Sequence, residues 1–507
     1  MKGSQEMRKL MGVAAVVAAA STILPARGDT YTVNAGDTQT LDSVTNTTRF
    51  TKNGAGTLVV TGTNSLTTLT SSGGTLIFRG GETTVSGSGS DGAYGNAAFV
   101  NTGNEFIIDG GATVKITGGA YGHTDNGIML VTNGTFDASS GITSGFMNGF
   151  TGSFPSARVV INDGGVVKAK VVRVVGAEAA TEAVKENFGI DLNAGGALYA
   201  DTFWEDNGSR YGRINFNGGV LVTTAAGEFF ENGTDPIRLL TRATIFEKGA
   251  VIDTDGKNVM WRQPLERPYG HGIASVTLPA AALAKETLIG PTRCTVTSAE
   301  GGVAADALMD FDDTNRVARG MIVTSRGFGY EAAPTVKVHQ ANCSDTWDCT
   351  VETMDFDAAG FAHGGLTKRG AGTLTITCTN TYGGATRLEG GTLAFSHEHG
   401  YPGGDLEIPA SVVQGALAAP LLTAHTLAFA AGKGVRVTEA DTLDDRTFGR
   451  AKTIATFTTP LAELPSLTLV DSDGDVMPPS GLWNLQLADG GQTLKFGAAR
   501  GTMLIFR

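Results

Sequence analysis

TKNGAGTLVVTGTN, residues 51–64, contains three glycines beside a short run rich in Thr and Val, and it returns more than 300 residues later as TKRGAGTLTITCTN, residues 367–380. Ten of the fourteen positions are identical in the two stretches. Neither stretch offers an obvious catalytic group, and alternation places Leu58 and Val60 on one face of a strand. The recurrence therefore indicates a repeated building block rather than a repeated active site.

The composition favours an elongated chain that turns often. Of 507 residues, 71 are glycine, 15 are proline and 41% are hydrophobic. This glycine content is about twice average usage, but there is no Gly-X-Y period, and the hydrophobic fraction argues against bulk disorder. The net charge of −12 argues against nucleic acid or an anionic membrane surface as a partner.

The N-terminal segment 1–28 has the features of an export signal. Lys2, Arg8 and Lys9 form a basic start, and LMGVAAVVAAASTIL at 10–24 is an apolar core of 15 residues. This core is shorter than the roughly 20 residues that span a bilayer as a helix. We therefore expect removal of the segment after residue 28. The expected location is extracellular or at the outer cell surface, with the periplasm as the alternative.

The remaining sequence predicts short strands separated by glycine corners. Runs of Val, Ile, Thr and Phe alternate with polar residues and are bounded by glycine with Asn or Asp. The glycine before a strand recurs at intervals of 23 to 37 residues, at Gly74, Gly111, Gly134, Gly165, Gly196, Gly219 and Gly249. Such intervals are typical of a solenoid. We predict an all-β, right-handed parallel β-helix. The competing prediction is a sandwich of antiparallel hairpins, whose strands normally return every 8 to 12 residues or so.

The regular pattern is interrupted once and changes near the C-terminus. We predict β-helix over 29–254, an irregular region with a small inserted β module over 255–345, further coils over 346–395, and C-terminal β coils or a cap over 396–507. A terminal cap is expected because an uncapped solenoid leaves an open sheet edge.

Extended through their second halves, the two copies at 51–78 and 367–395 resemble the autotransporter-associated β-strand repeat, with the approximate pattern K-x-G-x-G-T-L-x-L-x-G-x-N-x-Y-x-G-x-T-x-V-x-x-G-T-L. The first copy matches at Lys52, Gly54, Gly56, Thr57, Leu58, Gly62, Asn64, Gly74, Thr75 and Leu76. The second matches at Lys368, Gly370, Gly372, Thr373, Leu374, Asn380, Tyr382, Gly384, Thr386, Gly391, Thr392 and Leu393. The resemblance implies a passenger-like β-helical segment of an exported bacterial protein, without an activity attached.

The sequence also departs from the family's usual arrangement. Leu66 takes the tyrosine place in the first copy, and Cys378 replaces a glycine in the second. An autotransporter usually ends in a membrane β-barrel of roughly 250 residues or more, whereas 112 residues follow Phe395. We recognise no C-terminal translocator barrel in them, so we expect another route across an outer membrane or retention in the periplasm.

The segment IDLNAGGALYADTFWEDNGSRYGR, residues 190–213, is the best candidate for chemistry. Some parallel β-helices are polysaccharide lyases and hydrolases, which use carboxylates gathered beside a basic residue. The catalytic candidates are Asp201, Asp206 and Arg210, and the carbohydrate-binding candidates are Trp204 and Tyr211; the segment also holds Asp191, Glu205 and Arg213. Spacing alone does not bring two carboxylates together, so an ordinary structural loop is the favoured interpretation.

Four cysteines, Cys294, Cys343, Cys349 and Cys378, are too few for a disulfide scaffold. In an exported chain Cys343 and Cys349 are the disulfide candidate, closing a small loop in CSDTWDC; a zinc site is the weaker alternative. His339 has no partner at a spacing typical of zinc ligands. We predict no metal site and no cofactor.

These features predict an exported structural or surface-display protein, a passenger-like β-helical scaffold with an adhesion role and no enzymatic activity. The alternative is a polysaccharide-active or glycan-binding β-helix protein, whose enzyme form would be a lyase or hydrolase. The expected partner is an extracellular glycan or a surface protein, and membrane contact is expected only during export.

Overall fold

The computed structural model describes most of the chain between residues 29 and 498, and these residues are mainly β-strand. The residues outside the described part are 1–28, 35–36, 48, 88–96, 103–104, 119–120, 126, 140–144, 149–156, 175–187, 205–211, 231–239, 285–293, 298–300, 304, 313–316, 340–345, 418, 445–447, 449, 479–480 and 499–507. The predicted export signal lies in the first of these segments.

The N-terminal part of the chain is a succession of short strands separated by corners. The succession begins with β1 (Asp29–Thr32), β2 (Thr38–Asp42), β3 (Thr45–Thr47), β4 (Phe50–Asn53), β5 (Thr57–Thr61), β6 (Asn64–Leu66), β7 (Leu69–Ser72), β8 (Thr75–Arg79), β9 (Glu82–Val85), β10 (Ala97–Thr102), β11 (Glu105–Asp109), β12 (Thr113–Ile116), β13 (Tyr121–Asp125), β14 (Ile128–Val131), β15 (Gly134–Ala138), β16 (Gly145–Asn148), β17 (Ala157–Ile161) and β18 (Gly165–Val174). It continues through β19 (Phe188–Asn193), β20 (Ala197–Trp204), β21 (Arg213–Asn217), β22 (Val220–Thr223), β23 (Gly227–Glu228), β24 (Arg242–Ile245), β25 (Ala250–Asp253), β26 (Val259–Trp261) and β27 (Leu265–Glu266).

These strands pair in parallel with strands one turn further along the chain. In the first turns β1 pairs with β4, β2 with β5 and β3 with β6. Each turn therefore passes three sheet sides, which we call the first, second and third side after β1, β2 and β3. The second side is a ten-stranded sheet in the order β2-β5-β8-β11-β14-β17-β19-β21-β24-β27. The first and third sides belong to one larger sheet because β18 and β20 each pair on both. This all-β arrangement of parallel sheets, the stack, is consistent with a β-helix.

An antiparallel module interrupts the stack after β27. This inserted module contains β28 (His271–Thr277), α1 (Ala280–Leu283), β29 (Cys294–Thr297), β30 (Gly301–Val303), β31 (Asp306–Asp312), β32 (Val317–Ser325), β33 (Phe328–Tyr330), β34 (Thr335–His339) and β35 (Thr346–Asp355). Six of its strands form a sheet, and β31 and β32 form a hairpin. Ile273, Ala307, Tyr330 and Val338 belong to a hydrophobic core that is separate from the core of the stack. The parallel strands of the stack thus continue to Glu266, and the antiparallel strands of the module continue to Asp355. The span predicted from the sequence for the irregular region and the module is 255–345.

The stack resumes where it was interrupted. Its later elements are β36 (Leu366–Arg369), β37 (Thr373–Ile376), β38 (Thr386–Leu388), β39 (Thr392–Phe395), β40 (Leu406–Pro409), α2 (Ala410–Gln414), β41 (Leu422–Ala424), β42 (Gly434–Thr438), β43 (Lys452–Phe457), β44 (Ser466–Leu469), β45 (Trp483–Ala488) and β46 (Thr493–Ala498). Strand β36 pairs with β25 and continues the third side, and β37 pairs with β26. At the C-terminal end β45 and β46 form a hairpin, and β46 pairs antiparallel with β43.

One hydrophobic core extends through the stack from Val33 to Phe496. On the second side, successive strands contribute inward side chains that are at most 1% exposed: Leu58, Leu76, Phe106, Met129, Val159, Ile190 and Ile214. Burying each such side chain contributes about 1.5–3 kcal/mol. In the described part of the chain, α1 and α2 have four and five residues, and no helix is long and apolar enough to cross a membrane.

Glycine is required at the corners for steric reasons. Gly74 has a φ of +66°, and a Cβ at this position would lie 2.4 Å from the carbonyl oxygen of Gly56 in the preceding turn. Gly391, the equivalent residue of the second repeat copy, has a φ of +63°, and its Cβ would lie 2.3 Å from the carbonyl oxygen of Gly372. A side chain here would combine a left-handed backbone conformation with a backbone clash.

Candidate functional site

The lysine of the first repeat copy is buried at a corner of the stack. Lys52 is 0% exposed, and its Nζ donates hydrogen bonds to the carbonyl oxygens of Gly54 at 2.5 Å and Gly73 at 2.7 Å. These glycines form corners of successive turns, so one ammonium group joins one turn to the next. Burial lowers the pKa of Lys52 from 10.5 to about 8, opposed by a smaller effect of the Glu105 carboxylate.

The lysine of the second copy makes the same kind of contact. Lys368 is 0% exposed, and its Nζ donates to the carbonyl oxygens of Arg369 at 2.8 Å, Gly370 at 2.6 Å and Gly390 at 3.1 Å. Burial also lowers the pKa of Lys368 to about 8, partly opposed by Asp253. The repeat lysines therefore bridge stacked corners, and their donors are directed at the backbone.

The asparagine of each copy secures the next corner. Asn64 accepts a hydrogen bond from the backbone N–H of Val44 at 2.7 Å, and its Nδ2 donates to the hydroxyl of Thr83 at 3.0 Å. Asn380 accepts from the N–H of Leu265 at 3.0 Å and donates to the carbonyl oxygen of Gly400 at 2.8 Å. Each asparagine thus contacts the turn before it and the turn after it.

The two copies occupy different sides of the stack. In the first copy the lysine lies on β4, which pairs with β1 on the first side. In the second copy the lysine lies on β36, which pairs with β25 on the third side. The same local contacts therefore form at two different corners, and the repeat acts as a stacking device that is independent of the side it occupies.

The structure describes only some of the residues that the sequence grouped at 190–213. Asp201 lies on β20, is partly buried, and accepts a hydrogen bond from the hydroxyl of Thr224. Trp204 is the last residue of β20. Asp206, Arg210 and Tyr211 lie outside the described residues, so their candidate roles remain predictions. Asp191 lies on the second side instead, on β19.

The cysteine candidates are described only in part. Cys349 lies on β35 opposite Val336, is partly buried and forms no disulfide within the described part of the chain. Burial raises the pKa of this thiol, and the Asp348 carboxylate adds to the effect. Cys343 lies outside the described residues, so the predicted disulfide remains a prediction.

A polar cavity of about 340 Å³ lies between the second side of the stack and the inserted module. Strands β19, β21 and β24 with their following corners form its floor, and the C-terminal end of β32 forms the opposite wall. Its polar and charged lining residues are Thr132, Asn162, Asp163, Asp191, Asn193, Asn215, Asn217, Lys248, Thr324, Ser325 and Arg326. This is the candidate functional site, because it gathers many polar side chains under a cover.

Buried polar side chains form the floor of the cavity. Asp191 is 2% and Asn215 is 3% exposed, and the Nδ2 of Asn215 donates to the Asp191 carboxylate at 2.7 Å. Nearby, the Nδ2 of Asn193 donates to the Oδ1 of Asn162 at 2.8 Å. The floor is therefore organised by hydrogen bonds between side chains of successive turns.

The inserted module is held over the cavity by polar and aromatic contacts. Arg213 donates to the hydroxyl of Ser325 at 3.4 Å, and the guanidinium of Arg326 forms an ion pair with Glu247 at 2.8 Å. The same guanidinium donates to the carbonyl oxygen of Ile273 at 3.0 Å. Beside it, an aromatic cluster of Phe246 from the stack with Phe328 and Phe356 from the module closes the junction.

Sequence reasoning did not find this site. At the equivalent outward position of the second side, earlier turns carry Ile77, Ile107, Leu130 and Val160, and the next turns carry Asp191 and Asn215. This change from apolar to polar along one row was a usable signal. The cover was not predictable, because the facing residues of β32 lie about 110 to 130 positions later in the chain.

Comparison with known proteins identifies the repeat. Residues 366–395 match the model of the passenger-associated-transport-repeat family. Searches of curated proteins and of solved structures found no match. In the described part of the chain, no group of three or more His, Cys, Asp or Glu residues is placed to hold a metal ion. The resemblance predicted from Lys368 to Leu393 is therefore confirmed: the chain carries an autotransporter-associated repeat, and this repeat implies an exported protein.

Proposed function

We propose that the chain is an exported right-handed parallel β-helical solenoid that serves as a passenger-like scaffold at the cell surface, with an adhesion role. The observation that carries the proposal is the repeat itself. Its lysine and asparagine are used to stack turns, so the family's signature residues build a column and leave ligand contacts to the parts attached to it. Export would bring this scaffold to the outside of the cell, where the parts attached to it can meet an external partner.

The inserted module is the part best suited to be displayed. It has its own core and sits on the second side of a stack whose core continues past it. A rigid column that carries a separately folded unit is the arrangement expected of a presentation scaffold. We propose that the module, together with the stack surface beneath it, meets the external partner.

Protease shaving of intact cells tests the surface role. We expect added protease to remove the module from intact cells while a periplasmic marker survives. The culture medium is assayed in parallel. Cleavage that requires a permeabilised outer membrane would contradict the proposal in favour of the periplasm. Recovery of the chain mainly from the medium would show that the protein is released from the cell and is not held at its surface.

We propose a scaffold rather than an enzyme because the two described carboxylates of 190–213 lie on different sides of the stack. Asp191 is on the second side, and Asp201 is on β20, where it accepts from Thr224. General acid–base hydrolysis of a glycoside needs two carboxyl groups within about 5–9.5 Å. Depolymerisation of a polysaccharide that disappears in Asp201→Asn or Asp206→Asn would overturn this proposal.

A further inference from the structure

We propose that the polar cavity between the second side and the inserted module binds a neutral, polyhydroxylated ligand the size of one or two sugar rings. The proposal deepens the adhesion role proposed above by naming the class of ligand and the site. It is argued from unsatisfied buried groups, from the charge of the lining and from the volume.

Two buried side chains on opposite walls have hydrogen-bonding capacity left over. Asn215 is 3% exposed, and its Oδ1 has no hydrogen-bond partner within the described part of the chain. Thr324 is 2% exposed, and its hydroxyl also lacks a partner there. Buried polar atoms without a partner are uncommon in native proteins. Both residues line the cavity, so a small rotation of each side chain would let one ligand hydroxyl donate to Asn215 and another pair with Thr324.

The rest of the lining has the chemistry that hydroxyl groups need. Four carboxamides, Asn162, Asn193, Asn215 and Asn217, line the cavity. A carboxamide presents both donors and an acceptor, and a hydroxyl group is likewise both donor and acceptor. Asn193 additionally donates to the carbonyl oxygen of Thr324 at 3.3 Å, so the carboxamide row is already aligned with the module wall.

The charges of the lining favour a neutral ligand. Two carboxylates, Asp163 and Asp191, are balanced by two cations, Lys248 and Arg326. Arg326 is committed to Glu247 and to backbone carbonyl oxygens of the module. An anion would therefore face two carboxylates with only the ammonium of Lys248 to attract it, and a divalent cation would be repelled by Lys248.

The volume sets the size of the ligand. About 340 Å³ lies at the small end of ligand pockets, which run from roughly 300 to 1,000 Å³. A monosaccharide or a compact disaccharide fits this space, whereas a long polymer would enter only by one end. The ring of Phe246 is 2% exposed within the junction cluster, so recognition rests on hydrogen bonds rather than on stacking.

Binding is tested with the purified full chain and defined probes. The probes are glucose, galactose, mannose, N-acetylglucosamine and their common disaccharides, with glycerol, inorganic phosphate and calcium chloride as the other classes. Binding is followed by saturation-transfer NMR and by titration calorimetry. We expect saturable binding of at least one neutral sugar and none of phosphate or calcium.

Single substitutions test whether the sugar binds in this cavity. Asn215→Leu and Thr324→Val should each weaken sugar binding about two- to tenfold, the effect of one lost hydrogen bond. Thr70→Val makes the same chemical change on β7 of the first side and should leave binding unchanged. Circular dichroism checks folding, and if Asn215→Leu fails to fold, Thr324→Val still decides.

Three results would overturn the proposal: no sugar bound at tens of millimolar, sugar binding that both variants leave intact, or binding of phosphate or calcium instead. Because these assays use purified protein, they are independent of the shaving experiment. A periplasmic location would remove the surface role without touching the binding result, and absence of binding would leave the location unaffected.

Discussion

At the scale of single residues, the stack depends on lysine and glycine for opposite reasons. Lys52 and Lys368 supply donors to carbonyl oxygens that converge at the corners. The corner glycines are needed because nothing else fits. Gly74 and Gly391 sit against the backbone of the preceding turn, where even a methyl group would collide. The corners therefore restrict which residues the sequence can use more strongly than the strand faces do.

The corner of the second copy gives a matched test of this requirement. Gly391→Ala places a Cβ 2.3 Å from the carbonyl oxygen of Gly372 at a φ of +63°. We expect a loss of about 2–4 kcal/mol in stability, from the strain of the left-handed conformation and the clash. Gly390→Ala is the control, since its Cβ would lie 3.5 Å from the nearest atom. Chemical denaturation compares the two, and equal losses would contradict the steric argument.

The buried lysines predict a pH dependence with a definite sign. Their folded-state pKa of about 8 lies below the unfolded value of 10.5, so the unfolded chain binds more protons between these two pH values. Stability contributed at these sites should therefore rise as the pH increases from about 8 to about 10.5.

Comparison with Lys52→Met/Lys368→Met isolates this effect, because other groups that titrate in the range are common to both chains. We expect the melting temperature of the natural chain to rise with pH relative to that of the double variant. Lys115→Met, which changes a partly exposed lysine on β12, should follow the natural chain. Parallel curves for the natural chain and the double variant would refute the prediction.

How far the sequence predicts the molecule can be followed at single positions. Alternation in TLVV placed Leu58 and Val60 on one face, and both lie in the core of the stack. The same alternation directs Asp191 outward, where it would meet water, yet it is buried beneath the inserted module. Local periodicity reports which way a side chain points. It contains no information on what a distant segment later lays over it.

At the scale of elements, the junction between stack and module is where we expect one part to unfold without the other. The module has a core of its own, and the aromatic cluster of Phe246, Phe328 and Phe356 links it to the stack. The sequence indicated an interruption of the pattern. It did not indicate that β36, the first strand after the module, would pair directly with β25. Parallel pairing between strands on either side of an insertion produces no recognisable pattern in the local sequence.

Removing one ring should loosen this junction selectively. Phe328 is 1% exposed and packs against Phe246 and Tyr269, with ring centroids 6.2 and 5.2 Å away. Phe328→Ala should cost about 3–5 kcal/mol locally, the usual effect of truncating a buried phenylalanine. We expect hydrogen exchange to accelerate in β28–β35 and to stay slow in the strands of the stack.

Leu283→Ala is the control for this experiment, because Leu283 is in the same module but 40% exposed. It should change the exchange rates little. If Phe328→Ala accelerates exchange throughout the stack to the same extent, then stack and module form one cooperative unit and the junction is not separable.

At the scale of the whole molecule, a stack of parallel strands has to end. The hairpin of β45 and β46 covers the edge of β43 by antiparallel pairing. Ending the chain after Val476 would remove this cover and leave the N–H and C=O groups of β43 open to another chain. We expect the shortened chain to form oligomers or aggregates, measured by size-exclusion chromatography with light scattering.

Thr453→Lys/Thr456→Lys in the shortened chain tests the reason for the association. Charged side chains on an edge strand discourage edge-to-edge pairing, so these substitutions should restore the monomer in part. Association that persists unchanged would point to exposed core rather than to the open edge, and a monomeric shortened chain would show that the hairpin is dispensable as a cap.

The placement of the two repeat copies on different sides has a consequence for how such a chain can grow. If the repeat had to begin on one particular side of the stack, duplicated units could be added only in whole turns. Here the same contacts are satisfied on β4 and on β36, one side apart. Copying the unit within the gene would therefore both lengthen the column and rotate the position at which the following insertion projects. Repeated duplication could in this way distribute inserted modules around the axis without any change in the repeat itself.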